Sequence, residues 1–134
     1  MVDASVAVKW FLPEPGEAAA QEVLAGREKL MAPALIRVEV TAGITRKARL
    51  GEIENRDAAR AVRMWFQAVR DGVVTLVADD TDLEEAAKLA LLLRHPLQEC
   101  LYLALAVRLA APLITADQQF AIRAGKHYQE VRKL

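Results

Sequence analysis

Cysteine occurs once in this chain, at Cys100. A single thiol excludes an internal disulfide and a multi-cysteine zinc site, and it fits a reducing compartment. Net charge is missing too, since 18 Lys and Arg balance 18 Asp and Glu. With no overall field, any binding to nucleic acid has to come from a local patch. Glycine and proline number only 6 and 5 against 54% apolar residues, which excludes a disordered chain. No basic segment leads into a cleavable apolar stretch, so no secretory signal is expected. The most apolar tract, Cys100 to Val107, is too short to span a bilayer and stops at Arg108. These absences predict a soluble cytoplasmic protein with no membrane association. The 134 residues fit one domain over 1–134, with enough core to fold alone.

What is present alternates short β-type runs with longer helical ones, without an internal repeat or a flexible linker. Met1-Val2-Asp3 is the stub of a first strand. Glu17 to Arg27 reads as a helix after the breaks at Pro13 and Pro15, and Leu30 to Ala32 as a brief strand. Leu35 to Leu50 and Ile53 to Arg70 are helices closed by Gly51 and near Gly72. Val73 to Val77 is the clearest strand. Thr81 to Leu93 is a helix opening on Thr81-Asp82-Leu83-Glu84, a capping-box pattern. Pro96 starts a largely apolar helix running to about Leu109. Pro112 to Thr115 is a strand, Gln118 to Ala124 a helix, and Tyr128 to Val131 a last edge strand. This alternation implies βαβ units and a mainly parallel α/β sheet covered on both faces. Ligands of such sheets bind beyond the carboxyl ends of the strands, near a switch in strand order.

Two acids stand at those ends. Asp3 closes the first strand inside an apolar stretch, and Asp117 follows Leu113-Ile114-Thr115. Each also has a purely local reading, as the cap of the turn Ala4 to Val8 and of the helix beginning at Gln118. Two glutamates lie on helices where burial is expected. Glu39 has Leu35 and Ile36 one turn before it and Ala42 and Gly43 one turn after, and the small pair leaves room beside its carboxylate. Glu99 is in the first turn of the Pro96 helix, where complementing the helix dipole is the local alternative. The denser acidic runs, Asp79 to Glu85 and Glu52 to Asp57, read as loops and first turns of helices. Carboxylates gathered in one place repel, and protons or a hard cation relieve them. Mg²⁺ and Mn²⁺ take oxygen ligands, and a divalent ion is the counter-charge that suits Asp3.

Three stretches, "DASVAVKWFLPE", "APALIRVEV" and "HPLQECLYLALAVRLAAPLITADQQF", together resemble PIN-domain ribonucleases, above all VapC-type toxins of toxin–antitoxin pairs. The resemblance spans nearly the whole chain in the correct order. It implies a three-layer α/β/α sandwich with a mainly parallel sheet. It also implies an endoribonuclease that uses Mg²⁺ or Mn²⁺, with metal-activated water attacking the RNA phosphodiester. Position by position it makes Asp3, Glu39, Glu99 and Asp117 the catalytic, metal-holding acids, with Ser5 and Thr115 as accompanying hydroxyls. A VapB-like antitoxin and a homodimer are the implied partners. The chain departs from the pattern in reading "QECLYLALA", with Glu99 where relatives carry aspartate, and in a first strand shorter than usual.

Lys9 and Arg123, each within two turns of one of these acids, are the candidates for binding RNA. Arg46, Lys47 and Arg49 read instead as a solvated face at a helix C-terminus. Trp10 and Trp65 read as core or interface, and Cys100 as a small core residue. His95 and His127 do not form the histidine pair of a metal-free ribonuclease. A phospho-acceptor receiver domain also carries acids at strand ends, but it needs adjacent acids after its first strand and a lysine after its last core strand. The lone Asp3 and the missing lysine disfavour it. A PIN-like module that binds RNA or protein without cleaving is the alternative that the Glu99 departure leaves open.

Overall fold

The chain is a computed structural model that describes every residue except Arg27. Helix α1 (Ala4–Ala7) runs into a 3₁₀ turn (Val8–Trp10), followed by α2 (Glu17–Ala25), β1 (Leu30–Pro33), α3 (Ile36–Arg49) and α4 (Asn55–Arg70). Next come β2 (Val74–Val77), α5 (Leu83–Leu93), α6 (Leu97–Arg108), β3 (Leu113–Thr115), α7 (Gln118–Gly125) and β4 (Val131–Lys133). Most bounds fall within two residues of the periodicity reading. The expected helix end at Arg27 lies outside the described residues.

The strands form two parallel pairs, Leu30 with Val74 onward and Leu113 with Val131 onward. Met1–Asp3 stitches them together. Val2 N–H donates to the Met31 carbonyl at 2.9 Å, and Val2 bridges Ile114 in parallel. Asp3 N–H donates to the Ile114 carbonyl (3.0 Å), and Ile114 N–H to that of Met1 (2.9 Å). The strand order is therefore β2, β1, the Met1–Asp3 stub, β3, β4. A three-residue stub suffices because both of its edges are paired, and Val2 is fully buried. The chain runs from the stub to β1 and β2 on one side and crosses back from β2 to β3 and β4 on the other, so the carboxyl end of the stub is the switch point in strand order. The α/β sandwich expected from the sequence is the fold observed.

Helix α6 contacts both β1 and β3, beneath the stub. Cys100 to Ala106 are all buried, as in a helix apolar all round. Ile36, Val40 and Ile44 of α3, Trp65 of α4 and Phe120 of α7 are fully buried in the same core. Trp10 is buried too, its indole N–H donating to the Ala20 carbonyl at 2.9 Å.

Three local expectations are corrected. Helix α5 begins at Leu83 with no side-chain cap. Asp82, buried, accepts two bonds from the Arg108 guanidinium (2.6 and 2.8 Å), so tertiary pairing takes the place of the capping box. The last strand starts at Val131, because Tyr128 closes the turn after α7 by donating to the Ala124 carbonyl. The space at Gly43 belongs to Val8 rather than to Glu39. A Cβ there would stand 2.9 Å from Val8 Cγ2, so glycine is what lets the 3₁₀ turn lie against α3.

Candidate active site

Asp3 ends the stub where parallel strands run out of hydrogen-bond partners, and it is only 4% exposed. Its Oδ1 accepts from Ser5 N–H (2.6 Å), capping α1, and its Oδ2 accepts from Thr115 Oγ1 (2.7 Å). The capping reading and the site reading thus describe the same carboxylate. Burial pushes its pKa up, the bonds from Ser5 and Thr115 oppose that, and Asp117 adds to the rise.

Thr115 and Ser5 tie the two strand-end acids together. Thr115 Oγ1 accepts from Asp117 N–H (3.0 Å), Ser5 Oγ accepts from Ala116 N–H (2.9 Å), and the two hydroxyls are 3.4 Å apart. Asp117 Oδ1 caps α7 by accepting from Phe120 N–H at 2.8 Å. A residue whose backbone and one oxygen are held in this way points its carboxylate in one fixed direction.

Glu39 lies in the first turn of α3, and Tyr102, buried on α6, donates its hydroxyl proton to Oε2 at 2.5 Å. Burial pushes Glu39 up to about 7. The Tyr102 bond pulls the other way, and Asp3, Glu99 and Asp79 push further up. Tyr102 itself is driven well above the ordinary tyrosine range by burial and by Glu39, so it remains a proton donor. Glu99, one turn before Tyr102 on α6, is also raised, first by burial and then by Asp3 and Asp117, with His95 opposing. Its Oε2 is buried with no hydrogen-bond partner among the described residues.

The charge of Asp3 thus reaches Glu39 and Glu99, that of Asp117 reaches Asp3 and Glu99, and that of Glu99 reaches Glu39. Among the described residues, no three carboxylate, imidazole or thiol groups converge into a ready-made metal cage. The donor set nonetheless suits a hard divalent cation: carboxylate oxygens alone, several raised toward protonation, and a buried orphan oxygen on Glu99.

The other side chains named from the sequence have partners of their own. Lys9 is not a free cation, because its Nζ pairs with Glu14 Oε2 at 3.0 Å. Arg123 donates to the Arg94 carbonyl (2.5 Å) at a separate cavity that none of the four acids lines. The His95 ring stacks on Phe120 at 4.8 Å, and Cys100 is buried, its thiol pushed up to about 11 by burial. The sequence reading misses Tyr102, whose partner is 63 residues away. It also passes over Asp79, whose Oδ1 accepts from Leu35 N–H at 3.4 Å and whose charge reaches Glu39. A signal for Asp79 exists. It stands two residues beyond β2 as Asp117 stands two beyond β3.

Residues 1–126 match the family model described as PIN domain. No curated protein matches the chain.

Proposed function

We propose, from the premise that the chain belongs to the PIN domain family, that it is a divalent-metal-dependent endoribonuclease and the toxin of a VapBC-type pair. PIN domains are generally nucleases. The observation that supports metal dependence is the buried Oε2 of Glu99, partnerless among the described residues and set among acids raised by burial and mutual repulsion, while the RNA substrate and the toxin role rest on the resemblance in sequence. Such an arrangement is costly unless a cation resolves it. Asp3, Glu39, Glu99 and Asp117 would hold Mg²⁺ or Mn²⁺, which supplies an activated water and charge stabilisation at a phosphodiester.

The chain's own residues do the positioning. Thr115 and Ser5 orient Asp3 and Asp117, Tyr102 fixes one oxygen of Glu39, and α6 carries Glu99 in its first turn. Glu99 has one more methylene than the aspartate usual in relatives, and it reaches the cluster from a buried helix. A single domain over 1–134, a cytoplasmic location, an adjacent antitoxin and a homodimer complete the proposal.

The test compares metal-dependent cleavage of a labelled RNA by wild type, Asp117→Asn and Glu99→Gln. Asparagine still caps α7 and glutamine keeps the length of Glu99, so both variants should fold while cleavage is lost. Their metal-free stability should be equal or higher, because a repelling charge is gone. Wild-type cleavage by Glu99→Gln at unchanged Mn²⁺ dependence would remove Glu99 from the site. RNA binding by wild type without any metal-dependent cleavage would select the non-cleaving module instead.

A further inference from the structure

A cavity of about 430 Å³ opens next to Ser5 and Asp117 and continues along α3 past Arg46 and Lys47, with Lys9 and Glu14 on its other wall. Surface ion pairs are normally exposed and worth little. Here the Lys9 and Glu14 side chains are only 15% and 13% exposed. Glu14 uses both oxygens, Oε2 for Lys9 (3.0 Å) and Oε1 for Lys47 (2.7 Å), and Lys47 also holds Glu52 (2.9 Å). Arg46 enters no ion pair among the described residues. The loop that carries Glu14 is flanked by Pro13 and Pro15, whose rings restrict the backbone on either side.

We propose that this groove is a phosphate subsite for the RNA backbone next to the cleavage centre, and that Glu14 occupies it in the free protein as a built-in phosphate mimic. The proposal rests on the nuclease reading. Two lysines on the two oxygens of one anionic group is the arrangement that two non-bridging oxygens of a phosphate would also accept. The groove's three cations, Lys9, Arg46 and Lys47, face three carboxylates, Glu14, Glu52 and Asp117. The free groove is therefore close to neutral, as is the whole chain. A polyanion lying beside the catalytic acids needs cations, and exchange of Glu14 for a phosphate makes Lys9 and Lys47 available where Asp117 begins. Glu14 thereby lowers RNA affinity and screens out weakly held anions.

The test measures binding of a short fluorescein-labelled single-stranded RNA by anisotropy, in EDTA so that nothing is cleaved, across a salt series. Glu14→Gln should tighten binding several-fold at low salt. It should also steepen the dependence on salt by about 0.7 in log K per log salt for each further phosphate that the lysines neutralise. Lys47→Gln in the otherwise native chain should do the reverse, and it leaves Glu14 paired with Lys9 if the first variant folds poorly. If Glu14 merely straps its loop to α3, Glu14→Gln lowers the melting temperature and leaves RNA affinity unchanged, which overturns the proposal. Unchanged binding by a folded Lys47→Gln overturns it equally. Wild-type cleavage in Mn²⁺, measured in parallel, separates the two readings. Cleavage with indifferent variants defeats the subsite alone, while a wild type that neither binds nor cleaves defeats the nuclease reading and the subsite with it.

Discussion

Replacing Tyr102 by phenylalanine removes one oxygen from a buried position and leaves the ring that packs α6 in place. The lost atom is the donor to Glu39 Oε2 at 2.5 Å. That bond favours the charged carboxylate, and hydrogen bonds to charged groups contribute about 1.5–3 kcal/mol. The neutral bond is worth about 0.5–1.5 kcal/mol, so the difference between the two protonation states is about 1–1.5 kcal/mol, or about one unit at about 1.4 kcal/mol per pH unit. The midpoint of Glu39 should therefore move from about 7 to about 8. While Glu39 is protonated, the substitution costs only a neutral hydrogen bond, about 0.5–1.5 kcal/mol. Once Glu39 ionises, the stronger bond is what is missing. The destabilisation should therefore grow as pH rises through 7. Carboxyl ¹³C NMR of the metal-free protein gives the midpoint, and urea melts on either side of it give the cost. A folded Tyr102→Phe whose Glu39 midpoint stays near 7 or falls would overturn the role assigned to the hydroxyl.

In metal-free wild type, Glu39 is raised from 4.5 to about 7, and Asp3 and Glu99 are raised as well. A carboxyl raised on folding contributes stability below its unfolded value and loses it as pH climbs through the folded value. Stability should thus fall between about pH 4.5 and 7, by about 1–2 kcal/mol for Glu39 after solvent screening. Saturating Mn²⁺ should restore it by mass action, with a gain of about 2.7 kcal/mol at about 100 times Kd. A metal-free melting temperature that rises over this window would contradict the cluster. Gly43→Ala should cost about 1–3 kcal/mol in urea melts through overpacking against Val8, because the new Cβ meets Val8 Cγ2 at 2.9 Å. Pairing it with Val8→Ala should recover part of the loss, and strictly additive costs would locate the strain elsewhere.

Chain direction explains why Asp3 and Asp117 are legible without coordinates. In a parallel sheet all strands end on the same edge, so an acid just past each strand joins its counterparts wherever the strands sit. Glu39 is legible from apolar neighbours at helical spacing, since a helix face is a local property of sequence, whereas Glu99 read alone is a helix-dipole residue and stands out only through the resemblance. Asp79 obeys the strand-end rule equally well, but the acidic helix start beside it hides the signal. What no local pattern carries is the pairing of side chains across long separations. The Tyr102 hydroxyl on Glu39, Arg108 on Asp82, and the two lysines on Glu14 each depend on which helix packs against which. The same holds for Gly43, small for the sake of Val8 and not of Glu39. The α/β class, the strand ends and the acids that stand at them are written in the chain itself, because periodicity and chain direction are local. The order of strands around the Met1–Asp3 stub, the proton donor on Glu39 and the partner of Lys9 emerge only on folding, because each is set by packing between separate segments of the chain.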